Sequence, residues 1–357
     1  MTEVLRDRLT FRWSDFPPLT NDLPGTGGTL RQVPEDFLVE EIPLYLPQGS
    51  GSHAYALVQK RSLTTRDLVT TLLREGLKEK EIGVAGLKDK HAVTTQWLSV
   101  PQRHAEALQV LDKLEGVDIL KTSRHKNKLG IGHLKGNRFT VWVRDTSDVA
   151  AAETVLERLK QTGVPNYFGP QRFGRFGTNA VDGYNLTQGE NVPGGHRLKR
   201  FFISALQSLL FNHLLARRLE LGLFDKVILG DWAKKHDTGG EFKVESESAR
   251  AERFEISATL PLYGKKVRLS EAEAGELEAE TLAYYGLRWT DFTSRRGDRR
   301  LSRFPLQEAQ VTSTEDGYQV GFTLPKGAFA TSILRELMKV EVDVVEGSED
   351  QSEDQET

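Results

Sequence analysis

The segment GVAGLKDKHAVTTQW, residues 83–97, places one carboxylate, Asp89, among three potential cations directly after a Gly-Leu pair. An aspartate can act as a nucleophile when it is ionised and incompletely solvated. Burial alone would neutralise the carboxylate, whereas a nearby cation favours its charged form. The candidate cations are Lys88, Lys90, His91 and more distant arginines. The alternative is an exposed turn with local ion pairs, which contribute little to stability.

A second segment, residues 121–138, contains six Lys or Arg, two His and no acidic residue. Lys and Arg bind phosphates with salt-sensitive affinity. The segment leads into Asn137 and Phe139, and an amide can read a base edge while an aromatic ring stacks on an unpaired base. This pattern indicates contact with nucleic acid, and the alternative is a solvated basic hairpin.

Three further segments fit either an RNA-binding surface or an ordinary structural role. Residues 166–177, NYFGPQRFGRFG, interleave four aromatic rings with two arginines, which suits stacking on nucleic acid but also a glycine-rich hinge that packs its own rings. Residues 293–303 contain five Arg and one Asp. Phe329 lies directly before a predicted helix start; an exposed helix N-terminus could meet phosphate, and the alternative for Phe329 is packing in the core.

Several function classes are excluded by composition. The chain has no cysteine, so disulfides, thiolate catalysis and cysteine-ligated metals are absent. The His residues are scattered, and we expect no metal site. No phosphate-loop, dinucleotide or nucleophile-elbow motif occurs. No stretch approaches the roughly 20 apolar residues of a membrane span, and the first 13 residues lack a signal-peptide core, so we expect a cytoplasmic protein.

Charge is distributed unevenly along the 357 residues. Residues 341–357 hold eight acids and no Lys or Arg. Without these acids the formal net charge of −3 becomes +5 for residues 1–340. A mildly basic body suits a polyanion-binding protein, and we expect the acidic tail to be disordered.

Alternation of apolar and polar residues predicts strands, and helical spacing predicts helices between them. The clearest strands are predicted at residues 36–42, 53–60, 81–86, 94–100 and 138–145. The clearest helices are predicted at residues 64–76, 148–163, 199–222 and 270–286. Asp89 would then lie on a tight connection at a strand end, where rigid sheets often present reactive groups.

The pattern changes near residue 163, where a loop rich in Gly and Pro begins. A strand, a turn and a short helix resume at 318–339. We therefore predict a discontinuous catalytic domain, 1–162 and 310–340, interrupted by an inserted domain at 163–309 and followed by the acidic tail, 341–357.

Together these residues resemble the tRNA pseudouridine synthase D (TruD) family. The matching segments run in family order from about residue 25 to about residue 340, and they are PEDFLVEE (34–41), GLKDKHAVTTQW (86–97), RHKNKLGIGHLKGNRF (124–139), GVPNYFGPQRFG (163–174), SALQSLLFN (204–212) and LPKGAFATSILREL (324–337). The resemblance implies an α+β fold, with a mixed or antiparallel sheet in a catalytic domain of pseudouridine-synthase type and an inserted second α/β (TRUD) domain.

The resemblance also implies an isomerase that converts uridine to pseudouridine in tRNA, at position 13, without a cofactor or a metal. Such enzymes cleave the N-glycosidic bond, turn the base and rejoin it through C5. The family's nucleophilic aspartate falls on Asp89, and attack on C1′ and attack on C6 both stay open. Arg31, where some relatives have Lys, would pair with Asp89 through its guanidinium fork.

The resemblance places the target base among four further residues. Phe139 would face the base, at a position where many other pseudouridine synthases have Tyr. Asn137 would contact the base or the nucleophile. Phe37 and Phe329 would line the base pocket.

Two other function classes stay open on the sequence. One is an RNA-binding or RNA-chaperone protein with a vestigial site, in which residues 121–138 matter and Asp89 does not. The other is a hydrolase that uses Asp89 with a metal, although no second carboxylate lies near Asp89 in the sequence.

Overall fold

The structure, a computed structural model, describes residues 1–340. Its α-helices are α1 (Glu3–Leu9), α2 (Thr65–Arg74), α3 (Val149–Thr162), α4 (Asn179–Thr187), α5 (His196–Glu220), α6 (Ser248–Glu252), α7 (Ala272–Tyr284) and α8 (Ala330–Met338). Short 3-10 helices lie between them, including Pro34–Asp36 and Gln102–Lys113. The tail predicted to be disordered, 341–357, lies outside the described residues.

The β-strands are β1 (Thr29–Leu30), β2 (Phe37–Pro43), β3 (His53–Arg61), β4 (Gly83–Val84), β5 (Val93–Pro101), β6 (Val117–His125), β7 (Leu134–Arg144), β8 (Val164–Pro165), β9 (Trp232–Lys235), β10 (Glu241–Lys243), β11 (Ile256–Leu262), β12 (Asp298–Leu301), β13 (Arg303–Phe304), β14 (Gln307–Thr314) and β15 (Gly317–Pro325). None of the helices within residues 1–340 is long and apolar enough to cross a membrane.

The described chain divides into two compact units. The sheet unit comprises residues 25–156 and 306–330, and the second unit comprises residues 1–24, 157–305 and 331–340. The first 24 residues thus group with the second unit, whereas the sequence analysis placed them in the catalytic domain. The reason lies in their contacts, since the Phe11 amide donates to the Gly177 carbonyl at 2.9 Å and the Phe11 ring stacks on Phe173 at 4.2 Å. The predicted domain boundaries stay a prediction.

The sheet unit is built on a mixed sheet with strand order β14-β15-β7-β2-β5-β3-β6. Only the β2–β5 pair in this order is parallel, and β1 and β4 add to β7 and β5. Helix α2 packs one face of the sheet through Leu68 and Leu72, which join a buried cluster with Ala56 and Val58 of β3. The mixed sheet with packed helices confirms the predicted α+β class.

Local sequence explains the ends of α2. Thr64 caps the helix, because its hydroxyl accepts from the Asp67 amide at 3.1 Å while the Asp67 carboxylate accepts from the Thr64 amide at 2.7 Å. Gly76 follows the helix with φ +86°, a conformation that glycine adopts without steric cost. The helix therefore begins and ends close to the predicted limits of 64–76.

The second unit contains the four-stranded antiparallel sheet β10-β9-β11-β12 and the short pair β13-β8. Helix α5 is its longest helix within the described residues and buries Leu206, Leu209 and Leu210 completely. Two buried ion pairs fix the unit internally, Arg218 with Asp231 at 2.9 Å and Arg299 with Glu278 at 2.8 Å.

Two local expectations were wrong. The strand predicted at 81–86 forms only at Gly83–Val84, because the Gly86 carbonyl accepts a side-chain hydrogen bond from Gln96 at 3.2 Å in place of a strand partner. The alternative of a basic hairpin at 121–138 also fails. Strands β6 and β7 flank this segment but do not pair, since β6 pairs with β3 and β7 pairs with β1, β2 and β15.

Candidate functional site

Asp89 lies on the connection between β4 and β5, in the sheet unit. Its side chain is 39% exposed, so a bound molecule can reach the carboxylate. The connection begins where β4 ends and returns to the sheet at Val93. This position agrees with the strand-end connection that the sequence predicted. We call residues 85–92 the Asp89 connection.

Buried polar side chains fasten the first half of the Asp89 connection. The Lys88 amide donates to the Thr65 hydroxyl at 2.8 Å, and that hydroxyl donates to Gln96 Oε1 at 2.8 Å. The Gln96 amide nitrogen in turn donates to the Gly86 carbonyl at 3.2 Å. These three bonds join the connection to the start of α2 and to β5, and Thr65 and Gln96 are both fully buried. The main chain directly before Asp89 is therefore fixed to both α2 and β5.

Lys88 is a structural cation in this arrangement. Its ammonium lies 3.0 Å from Glu41 Oε2 on β2, and both side chains are almost fully buried. Glu41 also accepts from the Trp97 amide at 3.4 Å. A buried charge of this kind requires a partner, because desolvation of an unpaired ion is costly. Lys88 thus pairs with Glu41, and the cation beside the Asp89 carboxylate is a different residue.

That cation is Arg31. Its Nη2 lies 3.7 Å from Asp89 Oδ2, and its guanidinium lies 4.2 Å from the centre of the Phe37 ring. The Arg31 side chain is only 13% exposed, and burial lowers its pKa while the charge of Asp89 opposes that shift. Arg31 also has φ +57°, which is uncommon for a residue other than glycine. Such backbone strain tends to occur at functional sites.

Aromatic rings line the sheet next to Arg31. Phe37 meets Phe139 edge to face at 6.1 Å, and Phe139 stacks on Phe322 at 5.4 Å. Strand pairing aligns them, since β7 lies between β2 and β15 and Phe322 is opposite Phe139. The Phe139 ring is 8% exposed and Phe322 is 1% exposed. The structure therefore connects Asp89, Arg31, Phe37 and Phe139 through a continuous series of contacts.

Asn137 lies two residues before Phe139 on β7, and its cross-strand neighbour on β2 is Glu41. Its Oδ1 atom is buried and has no hydrogen-bond partner in the described part of the chain. A buried amide oxygen without a partner is unfavourable, and it is a natural acceptor for a bound donor. Phe329 is half-buried directly before α8. The roles predicted for Asn137 and Phe329 in a base pocket stay predictions.

Four buried polar residues of this region were not singled out from the sequence: Glu41, Lys60, Thr65 and Gln96. Lys60 has no exposed surface, and its ammonium donates to the Asp89 carbonyl at 2.9 Å. The sequence did indicate burial of Lys60, because alternate residues of a strand share a face. Lys60 therefore lies on the same face of β3 as the buried residues Ala56 and Val58. Glu41 likewise follows Phe37 and Val39 on the buried face of β2.

The chemistry of this site is that of one carboxylate, one cation and a wall of rings. The ionised carboxylate can attack an electrophilic carbon, and the guanidinium balances its charge. Phe37 and Phe139 are only 2% and 8% exposed, so in this structure their rings pack mainly on one another and on Arg31. Within residues 1–340, no group of three or more His, Asp or Glu side chains is arranged to hold a metal ion.

Comparison with known proteins places this geometry in context. The family model described as tRNA pseudouridine synthase D (TruD) matches residues 15–192 and 190–337. A tRNA pseudouridine synthase D of Thermus thermophilus is 55% identical over 337 residues, which cover 93% of this chain and 95% of the relative. Its counterpart in Anaeromyxobacter dehalogenans is 46% identical over 350 residues, which cover 94% of this chain and 100% of the relative.

A solved structure shows the same architecture. A crystal structure of a Methanosarcina mazei protein, described as a tRNA pseudouridine synthase D (TruD), superposes with a TM-score of 0.74 at 25% identity. The match covers 95% of this chain and 98% of that chain.

Proposed function

Because this chain belongs to the tRNA pseudouridine synthase D family, whose members isomerise uridine to pseudouridine in tRNA, we propose that it acts at position 13 with Asp89 as the nucleophile. The observation that carries the proposal is the placement of Asp89 beside Arg31, with Phe37 and Phe139 forming the adjoining wall. A tRNA substrate also agrees with the expected cytoplasmic location.

The target uridine must leave the RNA stack before a protein side chain can reach C1′ or C6. Phe37 and Phe139 replace part of the lost stacking, which contributes about 1–3 kcal/mol per base. The Arg31 guanidinium lies 4.2 Å from the centre of the Phe37 ring, so a ring that contacts the base also helps to fix the cation. The pocket thus couples binding of the uracil ring to the position of the charge beside Asp89.

The reaction then needs only groups that the substrate and the site supply. The bond from C1′ to N1 breaks, a bond from C1′ to C5 forms, C5 loses a proton and N1 gains one. Asp89 forms a transient covalent bond, at C1′ or at C6, and is released unchanged. Asn137 Oδ1, which has no partner among residues 1–340, accepts a hydrogen bond from an N–H group of the base or from a ribose hydroxyl.

The experiment that tests this function uses an unmodified tRNA transcript with uridine at position 13. The transcript is incubated with the purified protein, and pseudouridine is mapped by carbodiimide labelling and primer extension. We expect a single modified position, 13, and no signal in a matched transcript with cytidine there. Modification at another position would overturn the assignment of the site within tRNA.

A pure RNA-binding function gives a different result in the same experiment. The protein would then retard the transcript in a gel, with an affinity that falls as salt rises, and no pseudouridine would form. That outcome would overturn the enzymatic proposal as a whole.

A further inference from the structure

Lys60 carries a buried ammonium that the chemistry above does not use. It lies near the carboxyl end of β3, and its side chain is completely buried. Lysine is almost never fully buried without a partner, because desolvation of its charge is costly. A lysine in this position therefore requires a local explanation.

The explanation lies in its three acceptors. The Lys60 ammonium donates to the main-chain carbonyl of Asp89 at 2.9 Å and lies 3.4 Å from that of Lys88. The third acceptor is the carbonyl of Leu63, on the segment between β3 and α2. A protonated lysine has three N–H donors and can serve all three acceptors at once. Lys60 thus links the peptide of Asp89 to the segment that precedes α2.

The charges around the ammonium are mixed. Burial lowers the pKa of Lys60 to about 8, an effect that the repulsion of Lys88 increases and that the attraction of Asp89 and Asp67 opposes. Its hydrogen-bond partners are carbonyl dipoles, which stabilise the cation less than a bonded carboxylate would. The amine therefore changes its charge within the pH range of ordinary assays.

We propose that Lys60 is a positioning residue for the reaction, whose protonated ammonium holds the main chain at Asp89 and so directs the carboxylate toward the substrate. This inference rests on the proposed role of Asp89 as nucleophile. Lys60 does not touch the substrate, since it is buried beneath the connection. Loss of its proton removes the charge and one donor, so that at least one of the three carbonyls is left unpaired and the remaining bonds are weakened.

Deprotonation of Lys60 should lower activity as pH rises, whereas the contribution of Lys60 to the free energy of unfolding changes in the opposite direction. Burial lowers the pKa of Lys60 from its ordinary value of 10.5 to about 8. Between these values the unfolded chain binds more protons at this residue, so its contribution to the free energy of unfolding increases with pH. Global unfolding therefore does not explain an activity that falls through about pH 8 in a folded protein, and such a step is assigned to Lys60 when Lys60→Met lacks it.

The test compares Lys60→Met with Lys113→Met, which replaces an exposed lysine of the same unit. Single-turnover rates on tRNA with uridine at position 13 are measured from pH 6.5 to pH 9.5, alongside tRNA affinity and thermal unfolding. Because a displacement of about 1 Å can cost roughly 100-fold in rate, we expect Lys60→Met to lose about that factor at pH 7. Its tRNA affinity and that of Lys113→Met should match the wild type.

The pH profile separates positioning from a general packing role. We expect the wild-type rate to fall through about pH 8, and the residual rate of Lys60→Met to lack that step. A folded Lys60→Met with full rate and an unchanged profile would overturn the proposal. If Lys60→Met does not fold, the pH profile of the wild-type rate tests the proposal. A wild-type rate that stays constant to pH 9.5 would overturn the positioning role of Lys60.

A parallel Asp89→Asn variant distinguishes this inference from the proposed function. If Asp89→Asn is inactive and Lys60→Met is fully active, only the positioning role of Lys60 fails. If Asp89→Asn is fully active, the nucleophile assignment fails, and the role of Lys60 fails with it.

Discussion

The guanidinium of Arg31 lies 3.7 Å from the Asp89 carboxylate, which is near enough for attraction and longer than an ordinary hydrogen bond. The same guanidinium lies over the Phe37 ring at 4.2 Å. Arg31 is therefore oriented by the aromatic ring, and Asp89 is oriented by its own main chain. The carboxylate keeps capacity to contact a substrate while a fixed positive charge lies beside it.

Replacing Arg31 separates its charge from its shape. Arg31→Met removes the cation beside Asp89, and we expect a loss of about 10²–10³-fold in single-turnover rate, as for other groups that stabilise developing charge. Arg31→Lys keeps the charge but loses the flat contact with Phe37, so we expect a smaller loss of roughly tenfold. Equal rates for Arg31→Met and the wild type would contradict the role of the cation.

Asn137 should show a trade-off between stability and function. Its buried Oδ1 has no partner among the residues that the structure describes, and such an atom costs about 1–3 kcal/mol. We expect Asn137→Ala to leave the melting temperature unchanged or higher while pseudouridine formation falls. A melting temperature well below that of the wild type, measured by calorimetry without tRNA, would show that Asn137 has a structural role.

Phe139 should contribute to catalysis beyond its packing. Phe139→Leu and Phe322→Leu both remove a ring from the same stacked pair, and each should lower the free energy of unfolding by up to about 1.5 kcal/mol. Only Phe139 is expected to meet the base, so its variant should show the larger loss of rate. Urea denaturation and single-turnover assays on both variants provide the comparison. Identical rate losses would indicate that both rings act only through packing.

The buried pair of Lys88 and Glu41 predicts a stability effect. Glu41→Gln leaves the Lys88 charge buried without its partner, and we expect a loss of about 3–5 kcal/mol in the free energy of unfolding. Adding Lys88→Met removes the unpaired charge and should recover much of this loss. Urea denaturation of both variants tests the prediction, and a double variant no more stable than Glu41→Gln would contradict it.

The sequence predicted those parts of the fold that follow simple periodicity. Strand β5 and helix α2 were predicted because apolar residues repeat along one face and Thr64 caps the helix. The extent of β4 was not predictable, because it depends on the Gln96 side chain binding the Gly86 carbonyl. Grouping of the first 24 residues with the second unit depends on contacts such as that of Phe11 with Phe173, which are distant in sequence.

In the candidate site, too, some residues could be predicted from the sequence and others could not. Asp89 stands out because one carboxylate among several cations is unusual on a strand connection. Lys60 and Glu41 were missed because charged residues are expected on the solvent face of a strand. Both lie on the same face of their strands as buried apolar residues. That position indicates burial of the charge only when the structure shows that other elements pack on this face. The contact between Arg31 and Asp89 joins positions 58 residues apart, and the family resemblance suggested it where residue types did not.

The most direct test of the account is the rate of pseudouridine formation by Asp89→Asn, which keeps the size of the side chain and removes its charge. We expect the rate to fall by at least about 10³-fold, equivalent to about 4 kcal/mol of transition-state stabilisation, while tRNA affinity is retained. Asp118→Asn, at an exposed position of the same unit, should behave as the wild type. Full activity of Asp89→Asn would contradict the assignment of the nucleophile.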